Sequence, residues 1–210
     1  MDNISFQEQM VGNHCWGCGQ DNERNLRIKS YWAGDESVCT WQPEGYHTAA
    51  APHVLNGGVI ATLIDCHCIC TAIAAGYRAE ERDIGSGTPI WFATGSLKVS
   101  YRSPTPITAP VTVRAQIVDQ TERRINLTCT LSADGEERAV GELVAVRVPL
   151  KVDATPVGFC DGRLETCFVY EVVGTTDSTE WRGTHPRRSV DGTAISDQLP
   201  RTSISSVSVP

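Results

Sequence analysis

One stretch of this chain is apolar on every helical face, and it constrains the fold more than any other feature. Residues 58–75 are apolar apart from Asp65 and His67. A helix that is apolar all round is buried in a soluble core or crosses a membrane. A carboxylate and an imidazole at mid-span are costly in lipid. The stretch therefore predicts the buried central helix of a soluble domain, with no membrane partner.

Strand-like segments surround this predicted helix. Two short strands are predicted before it, at residues 26–33 and 37–41, and the charged, glycine-rich residues 77–88 are predicted as an exposed loop. Four further strands are predicted at residues 90–101, 111–120, 125–132 and 139–149. Asp134-Gly135 is a strong hairpin turn signal. The pattern predicts an α+β fold in which an antiparallel sheet wraps around one long central helix.

Composition divides the chain into three parts. Residues 1–13 form a polar lead-in, and residues 14–150 form the globular domain. Residues 151–210 form a C-terminal extension that is predicted to be largely disordered, because it holds few core-forming residues after position 174. Within the extension, residues 168–173 predict one extra edge strand.

Charge and cysteine content narrow the classes of function and location. The formal net charge is −7, which disfavours a general nucleic-acid binder. The nine cysteines cannot all pair within one chain, and Cys66, Cys68 and Cys70 lie in the apolar stretch as small buried hydrophobes. Residues 1–10 carry no apolar signal segment. We therefore expect a reducing, cytoplasmic location.

The sequence His14-Cys15-x-x-Cys18 raises the question of a zinc site. A structural zinc site needs four ligands, so a second cysteine pair usually supplies the two that the first pair lacks. From the sequence alone, the remaining cysteines show no such pair. We therefore predict no metal, and interpret this segment as a glycine-rich knuckle that closes one end of the sheet.

The candidate chemistry lies at the start and in the middle of the apolar helix. Gly57 and Gly58 leave backbone N–H groups free at the helix start, and burial should raise the pKa of Asp65 and favour its use as a base. N–H donors and a carboxylate are groups that can split an acyl bond. Asn56 either caps the helix or donates to the substrate; the sequence leaves both open.

Spacing argues that these groups act across two subunits. A helix rises about 1.5 Å per residue, so Gly57 and Asp65 of one chain lie roughly 12 Å apart. Two antiparallel helices related by a two-fold axis would bring Gly57 of one chain near Asp65 of the other. His67 is about 200° around the helix from Asp65, so we predict a packed core histidine. His47 and His53 precede the glycines in a loop, and His53 is a candidate for substrate contact.

These residues together resemble a known family. Gly57-Gly58 opens the buried helix, Asp65 follows eight residues after Gly57, and Tyr101-Arg102-Ser103-Pro104 closes the next strand. Upstream, Cys15-Trp16-Gly17-Cys18-Gly19 is followed by Asn25-Leu26. Over about residues 14–150 the chain resembles hotdog-fold acyl-CoA thioesterases of the phenylacetate-pathway type, in the 4-hydroxybenzoyl-CoA thioesterase-like superfamily.

The resemblance implies a site at a subunit interface of a homodimer or a dimer of dimers (homotetramer). Gly57 would offer its N–H to the oxyanion, Asp65 would be nucleophile or base, and Thr94 would help to hold a water molecule. The family usually has His where this chain has Asn56, and some members have an upstream Asn where this chain has Thr48-Ala49-Ala50-Ala51. One oxyanion contact is therefore missing or is supplied by Asn56.

The predicted function is hydrolysis of an acyl-CoA thioester to the free acid and coenzyme A, with no cofactor beyond the coenzyme A of the substrate. Substrate contacts are predicted for His53, Gly58, Arg102, Arg123 and Arg124, with Lys98 and Arg78 as further candidates for the nucleotide end. Two alternatives stay open: an enoyl-thioester hydratase or dehydratase of the same fold, and a module that binds acyl-CoA without turnover.

Overall fold

The protein is built around one long helix. The computed structural model describes residues 4–153 and 169–172, and helix α1 spans Gly57–Ala79. The Asn56 side chain caps it by accepting a hydrogen bond from the N–H of Gly58 at 2.8 Å. Beyond Glu80, Glu81 has a left-handed φ of 52°, which ends the helical path. The predicted central helix is confirmed, and it continues four residues past position 75.

Most of α1 is covered by protein. It has the length and composition of a membrane-spanning helix, yet 67% of its apolar window is buried inside the molecule. A core helix of a soluble protein has the same property.

A six-stranded antiparallel sheet packs against α1. Its strands are β1 (Tyr31–Ala33), β2 (Glu36–Trp41), β3 (Phe92–Tyr101), β4 (Val111–Gln120), β5 (Arg124–Ala133) and β6 (Glu136–Arg147). The strand order is β1-β2-β4-β5-β6-β3, so β3 returns to the far edge of the sheet beside β6. Alternate residues of β4, β5 and β6 are buried toward the helix. One helix within an antiparallel sheet is the predicted hotdog arrangement.

Two strand boundaries differ from the predicted ones by three residues or more. Only Tyr31–Ala33 of the predicted strand 26–33 pairs with a neighbouring strand: Arg27 has a left-handed φ of 56°, and the backbone groups of Ile28 and Ser30 bond to Gly17 and Phe6 instead. Strand β6 begins at Glu136 rather than at 139. Asp134 and Gly135 both have positive φ, as a two-residue hairpin turn requires, so pairing resumes directly after them.

The helix and sheet approach each other closely at Gly141 of β6. A Cβ atom at this position would lie 2.5 Å from Cγ2 of Ile64. Real Cβ atoms do not approach so closely, so the small residue sets the distance between α1 and the middle of the sheet.

Part of the predicted N-terminal lead-in packs against the domain. The side chains of Phe6 and Met10 lie in the hydrophobic core. The buried Gln7 donates from Nε2 to Ser30 Oγ at 2.9 Å and accepts from the N–H of Ser30 at 2.8 Å. Apolar burial and paired polar groups therefore fix this segment to the sheet.

The strand predicted at 168–173 is present but pairs elsewhere. Strand β8 (Val169–Val172) pairs with β7 (Leu150–Asp153) in a separate two-stranded antiparallel sheet, so it does not extend the edge of the six-stranded sheet. Residues 154–168 and 173–210 lie outside the described residues, and the predicted disorder of the extension falls there.

Candidate active site

Asp65 and Thr94 meet between α1 and β3. Oδ1 of Asp65 accepts a hydrogen bond from Thr94 Oγ1 at 2.6 Å. Thr94 lies where the pairing of β3 with β6 is interrupted by a register shift between Thr94 and Ser96. Such bulges redirect a side chain. The structure thus brings together two residues predicted for catalysis from positions 29 residues apart.

The surroundings of Asp65 suit a reactive carboxylate. The side chain is half-buried, and this burial raises the pKa of Asp65, while the hydrogen bond from Thr94 opposes the rise. Thr94 occupies one carboxylate oxygen. Among the described residues, Oδ2 of Asp65 has no hydrogen-bond donor, so it can accept from water or attack a carbonyl carbon.

Gly57 and Asn56 form the start of α1 near the outer edge of the sheet. Asn56 Oδ1 accepts a hydrogen bond from the N–H of Gly58, so Asn56 caps the helix and this N–H is already paired in the single chain. Within the described part of the chain, the N–H of Gly57 has no acceptor. It is therefore free to bind an oxyanion.

Tyr101 was not predicted as a site residue, although the sequence analysis quoted it at the end of a strand. Its hydroxyl donates to the carbonyl oxygen of Gly57 at 2.7 Å. Its ring atoms lie 3.5 Å from where a Cβ of Gly57 would be. Tyr101 thus fixes the first turn of α1 to the end of β3, a contact 44 residues apart that no local sequence pattern reveals.

One face of α1 is left uncovered by the sheet. Part-exposed residues recur at a spacing of four along the helix, at Gly57, Ala61, Asp65 and Ile69, and Gly58, Val59 and Thr62 are also accessible in the first turns. Beside them, the described residues include no strand that pairs with the outer edge of β3. Helix face and strand edge therefore form one continuous surface that contains both Asp65 and Gly57.

His67 and His47 occupy structural positions. His67 is fully buried and bonds through Nδ1 to Ser30 Oγ at 2.8 Å and through Nε2 to Ser37 Oγ at 3.1 Å. Burial lowers the pKa of His67 to about 4, so it is a neutral core histidine, as predicted. His47 is buried, and its Nδ1 accepts from the N–H of Glu44 at 2.9 Å. His53 lies exposed in the loop before Gly57.

The predicted substrate-binding arginines are not together. Arg102 follows the end of β3, whereas Arg123 and Arg124 lie next to the start of β3, because Arg124 is in register with Val146 and Phe92 with Arg147. A ten-residue strand spans roughly 33 Å. Within a single chain, Arg102 and the Arg123-Arg124 pair therefore cannot contact one phosphate group, and each stays a separate candidate for substrate contact. Arg102 lies 3.9 Å from Glu137.

A largely apolar cavity lined in part by α1 is not at this surface. It has a volume of about 220 Å³ and is lined by Met10, Ile73, Tyr77, Ile90 and Trp91, among others. Ile73 is two helical turns beyond Asp65, so the cavity does not include the candidate catalytic groups. The site that holds Asp65 is open to solvent in the single chain.

Sequence comparison places these residues in a known family. A sequence model of the thioesterase superfamily matches residues 53–140. The chain is similar to the acyl-coenzyme A thioesterase THEM4 of Rattus norvegicus, with 28% identity over 116 residues that cover 55% of this chain and 44% of the relative. The chain therefore spans less than half the length of the curated relative that it matches.

Two solved structures extend the comparison. A thioesterase superfamily protein from Shewanella loihica is 30% identical; the match covers 58% of this chain and 91% of that chain, with a TM-score of 0.45. Another thioesterase superfamily protein is 21% identical over 70% of both chains, with a TM-score of 0.51, and shares the fold. The superfamily match spans the segment that carries Gly57, Asp65 and Thr94. This chain belongs to the thioesterase superfamily.

Proposed function

We propose that this protein is an acyl-CoA thioesterase whose active sites are each built from two copies of the chain. The observation that carries the proposal is the hydrogen bond between Asp65 and Thr94 on the uncovered face of α1. It presents one carboxylate oxygen to a surface that a thioester can reach. The curated relatives, named acyl-coenzyme A thioesterases, support coenzyme A as the leaving group.

In the proposed reaction, Asp65 either activates a water molecule as a base or attacks the thioester carbonyl carbon as a nucleophile. As a base, it takes a proton from water, and the water oxygen bonds to the thioester carbonyl carbon. As a nucleophile, its own oxygen bonds to that carbon, and water later cleaves the resulting anhydride. In both cases the carbon–sulfur bond breaks, the electron pair leaves with the coenzyme A sulfur, and that sulfur takes up a proton. The carboxylate product keeps the acyl group.

The negative oxygen that develops on the carbonyl needs a donor. The N–H of Gly57 is the candidate, but within one chain it lies roughly 12 Å from Asp65 along the helix axis. We infer that a second copy packs its α1 antiparallel against the uncovered face of the first, with the two β3 edges adjacent. Gly57 of each copy then serves Asp65 of the other, which gives two sites per dimer.

The first experiment measures release of free thiol from short, long and aromatic acyl-CoA esters. In Asp65→Asn the amide keeps the hydrogen bond from Thr94 but cannot act as a base. We expect turnover to fall by roughly a hundred-fold or more, as when a general base is removed. Asp134→Asn is the matched control, because Asp134 lies in an exposed hairpin turn that accepts Asn. A folded wild type that binds these esters without hydrolysis would instead indicate a binding module.

A second experiment tests whether the site is shared between subunits. Gly57→Pro removes the N–H at the first helical position, where proline is well tolerated. Asn56 already has the extended ψ of 132° that a residue before proline requires. We expect this variant to fold and to lose most activity.

Mixing the two inactive variants then distinguishes a site shared between two chains from a site contained in one chain. A dimer of one Gly57→Pro chain and one Asp65→Asn chain keeps one intact shared site. Refolding the variants together should restore about a quarter of wild-type activity if dimers form at random with two-fold symmetry. A site contained in one chain predicts no recovery, because every chain then carries a defect.

A further inference from the structure

Four cysteines that the catalytic proposal does not use converge beside α1. Sγ of Cys15 lies 3.7 Å from Sγ of Cys66, and Sγ of Cys18 lies 3.7 Å from Sγ of Cys70. The sulfurs of Cys15, Cys18 and Cys66 all lie within 4.8 Å of one another. All four cysteines are free thiols.

The prediction that the remaining cysteines include no pair with zinc-ligand spacing is wrong. Cys66 and Cys70 are four residues apart on α1, so one helical turn places both on the same face. The Cys15-x-x-Cys18 loop packs against that face. The two pairs are 48 residues apart in sequence, and only the fold brings them together.

We propose that Cys15, Cys18, Cys66 and Cys70 bind one structural zinc ion as a tetrahedral tetrathiolate. At a Zn–S distance of about 2.3 Å, the sulfurs of a regular tetrahedron lie about 3.8 Å apart. Two of the six sulfur–sulfur separations, Cys15–Cys66 and Cys18–Cys70, measure 3.7 Å and match that edge. Cys70 lies outside the group of three sulfurs that are all within 4.8 Å of one another, so its side chain must shift toward Cys15 and Cys66 to complete the tetrahedron. A site with four protein ligands has no open position and is structural rather than catalytic.

The loop is shaped to hold its two sulfurs in place. The N–H of Gly19 donates to the carbonyl oxygen of Cys15 at 2.7 Å, which closes a tight turn around both cysteines. Neither glycine of the loop accepts a side chain: a Cβ on Gly17 would lie 2.5 Å from Cys66 Sγ, and one on Gly19 would lie 2.3 Å from the backbone nitrogen of Cys15. The small residues therefore let the loop backbone approach α1.

A second layer of contacts supports the sulfurs. The buried Asn13 accepts from the N–H of Cys15 at 3.0 Å and directs its Nδ2 toward Cys18 Sγ at 3.8 Å. Outer donors of this kind orient metal ligands and stabilise a thiolate.

Burial also fits a metal better than four isolated thiols. Cys18, Cys66 and Cys70 are buried, whereas Cys15 is exposed and leaves a path for the ion to enter. The site would fasten the N-terminal segment to α1 at Cys66, directly after the candidate catalytic Asp65. Metal binding would therefore contribute to folding rather than to the chemical step.

The test is the metal content of the full chain, purified under reducing conditions without chelator. We expect about one zinc per chain by mass spectrometry of the elements, in keeping with one closed four-cysteine site. Protein expressed in Co²⁺-supplemented minimal medium should show the visible bands of tetrahedral cobalt bound to thiolates. Folded wild-type protein without zinc, or with iron in its place, would overturn the proposal.

Variants locate the ion. Cys15→Ser/Cys18→Ser and Cys66→Ser/Cys70→Ser should each lose the zinc and unfold at lower temperature. Cys39→Ser/Cys129→Ser is the matched control, because both of these cysteines are buried outside the cluster, and it should keep the zinc. Because the loop variant leaves α1 unaltered, its metal content can be read even if the helix variant fails to fold. Zinc retained in full by the loop variant would contradict the proposed ligands.

Discussion

At the scale of single residues, the candidate site depends on how one carboxylate is held. Thr94 binds Oδ1 of Asp65 and so fixes which oxygen faces the open surface. Thr94 is a positioning residue, because it acts through Asp65.

Thr94→Val keeps the shape of the side chain and removes the hydroxyl. A hydrogen bond to a charged group contributes about 1.5–3 kcal/mol, so we expect kcat to fall roughly 10- to 100-fold with a smaller change in KM. Steady-state thiol release checks this. Thr94→Ser should retain most activity, and Thr128→Val, on an exposed position of β5, should be unchanged. Equal losses in the valine and serine variants would show that the hydroxyl is not what matters.

Tyr101 is the second residue whose effect can be isolated. Tyr101→Phe keeps the ring against Gly57 and removes the hydrogen bond to its carbonyl oxygen. Because this side chain is half-exposed, we expect a loss of about 0.5 kcal/mol in the free energy of unfolding, measured by urea denaturation. Tyr31→Phe, which removes a hydroxyl without such a contact, serves as control. An unchanged denaturation midpoint for Tyr101→Phe would show that the Tyr101 hydroxyl does not stabilise the first turn of α1.

At the scale of elements, the distance between α1 and the sheet is set by a missing side chain. Gly141→Ala would put a Cβ 2.5 Å from Ile64 Cγ2. Overpacking of this kind costs about 1–3 kcal/mol, which we expect as a lower thermal midpoint. Gly45→Ala is the control, since nothing lies within 4 Å of its Cβ position. If both variants have the same thermal midpoint, the small size of Gly141 does not set the distance between α1 and the sheet.

The helix and strands show which features of the structure can be predicted from the sequence alone. The apolar run and the alternation of β4 and β5 are local signals, so the helix, the strands and the positions of Gly57 and Asp65 could be predicted. The arginine set could not, because the positions of Arg102 and Arg124 depend on the register of β3 and β5 with β6. The cysteine cluster was missed for the same reason: a loop pair and a helix pair meet only in the folded chain.

At the scale of the whole molecule, the uncovered face of α1 is where we place a second copy. Ala61 lies on that face, between Gly57 and Asp65. Ala61→Arg should turn a dimer into a monomer and abolish activity, since a buried unpaired charge is costly at an interface. Size-exclusion chromatography with light scattering measures the mass. Ala79→Arg, at the exposed end of the same helix, should leave mass and activity unchanged; a dimeric, active Ala61→Arg protein would place the interface elsewhere.

The strand order has a consequence for how the chain is made. Strand β3 is translated third, and its one pairing partner among the described strands is β6, the last strand of the six-stranded sheet. Roughly 70 residues must therefore leave the ribosome after α1 before the sheet can close over it. At a synthesis rate of about 5–20 residues per second, an apolar helix stays uncovered for roughly 3 to 14 seconds. During that interval the nascent chain exposes an apolar segment of the kind that chaperones bind.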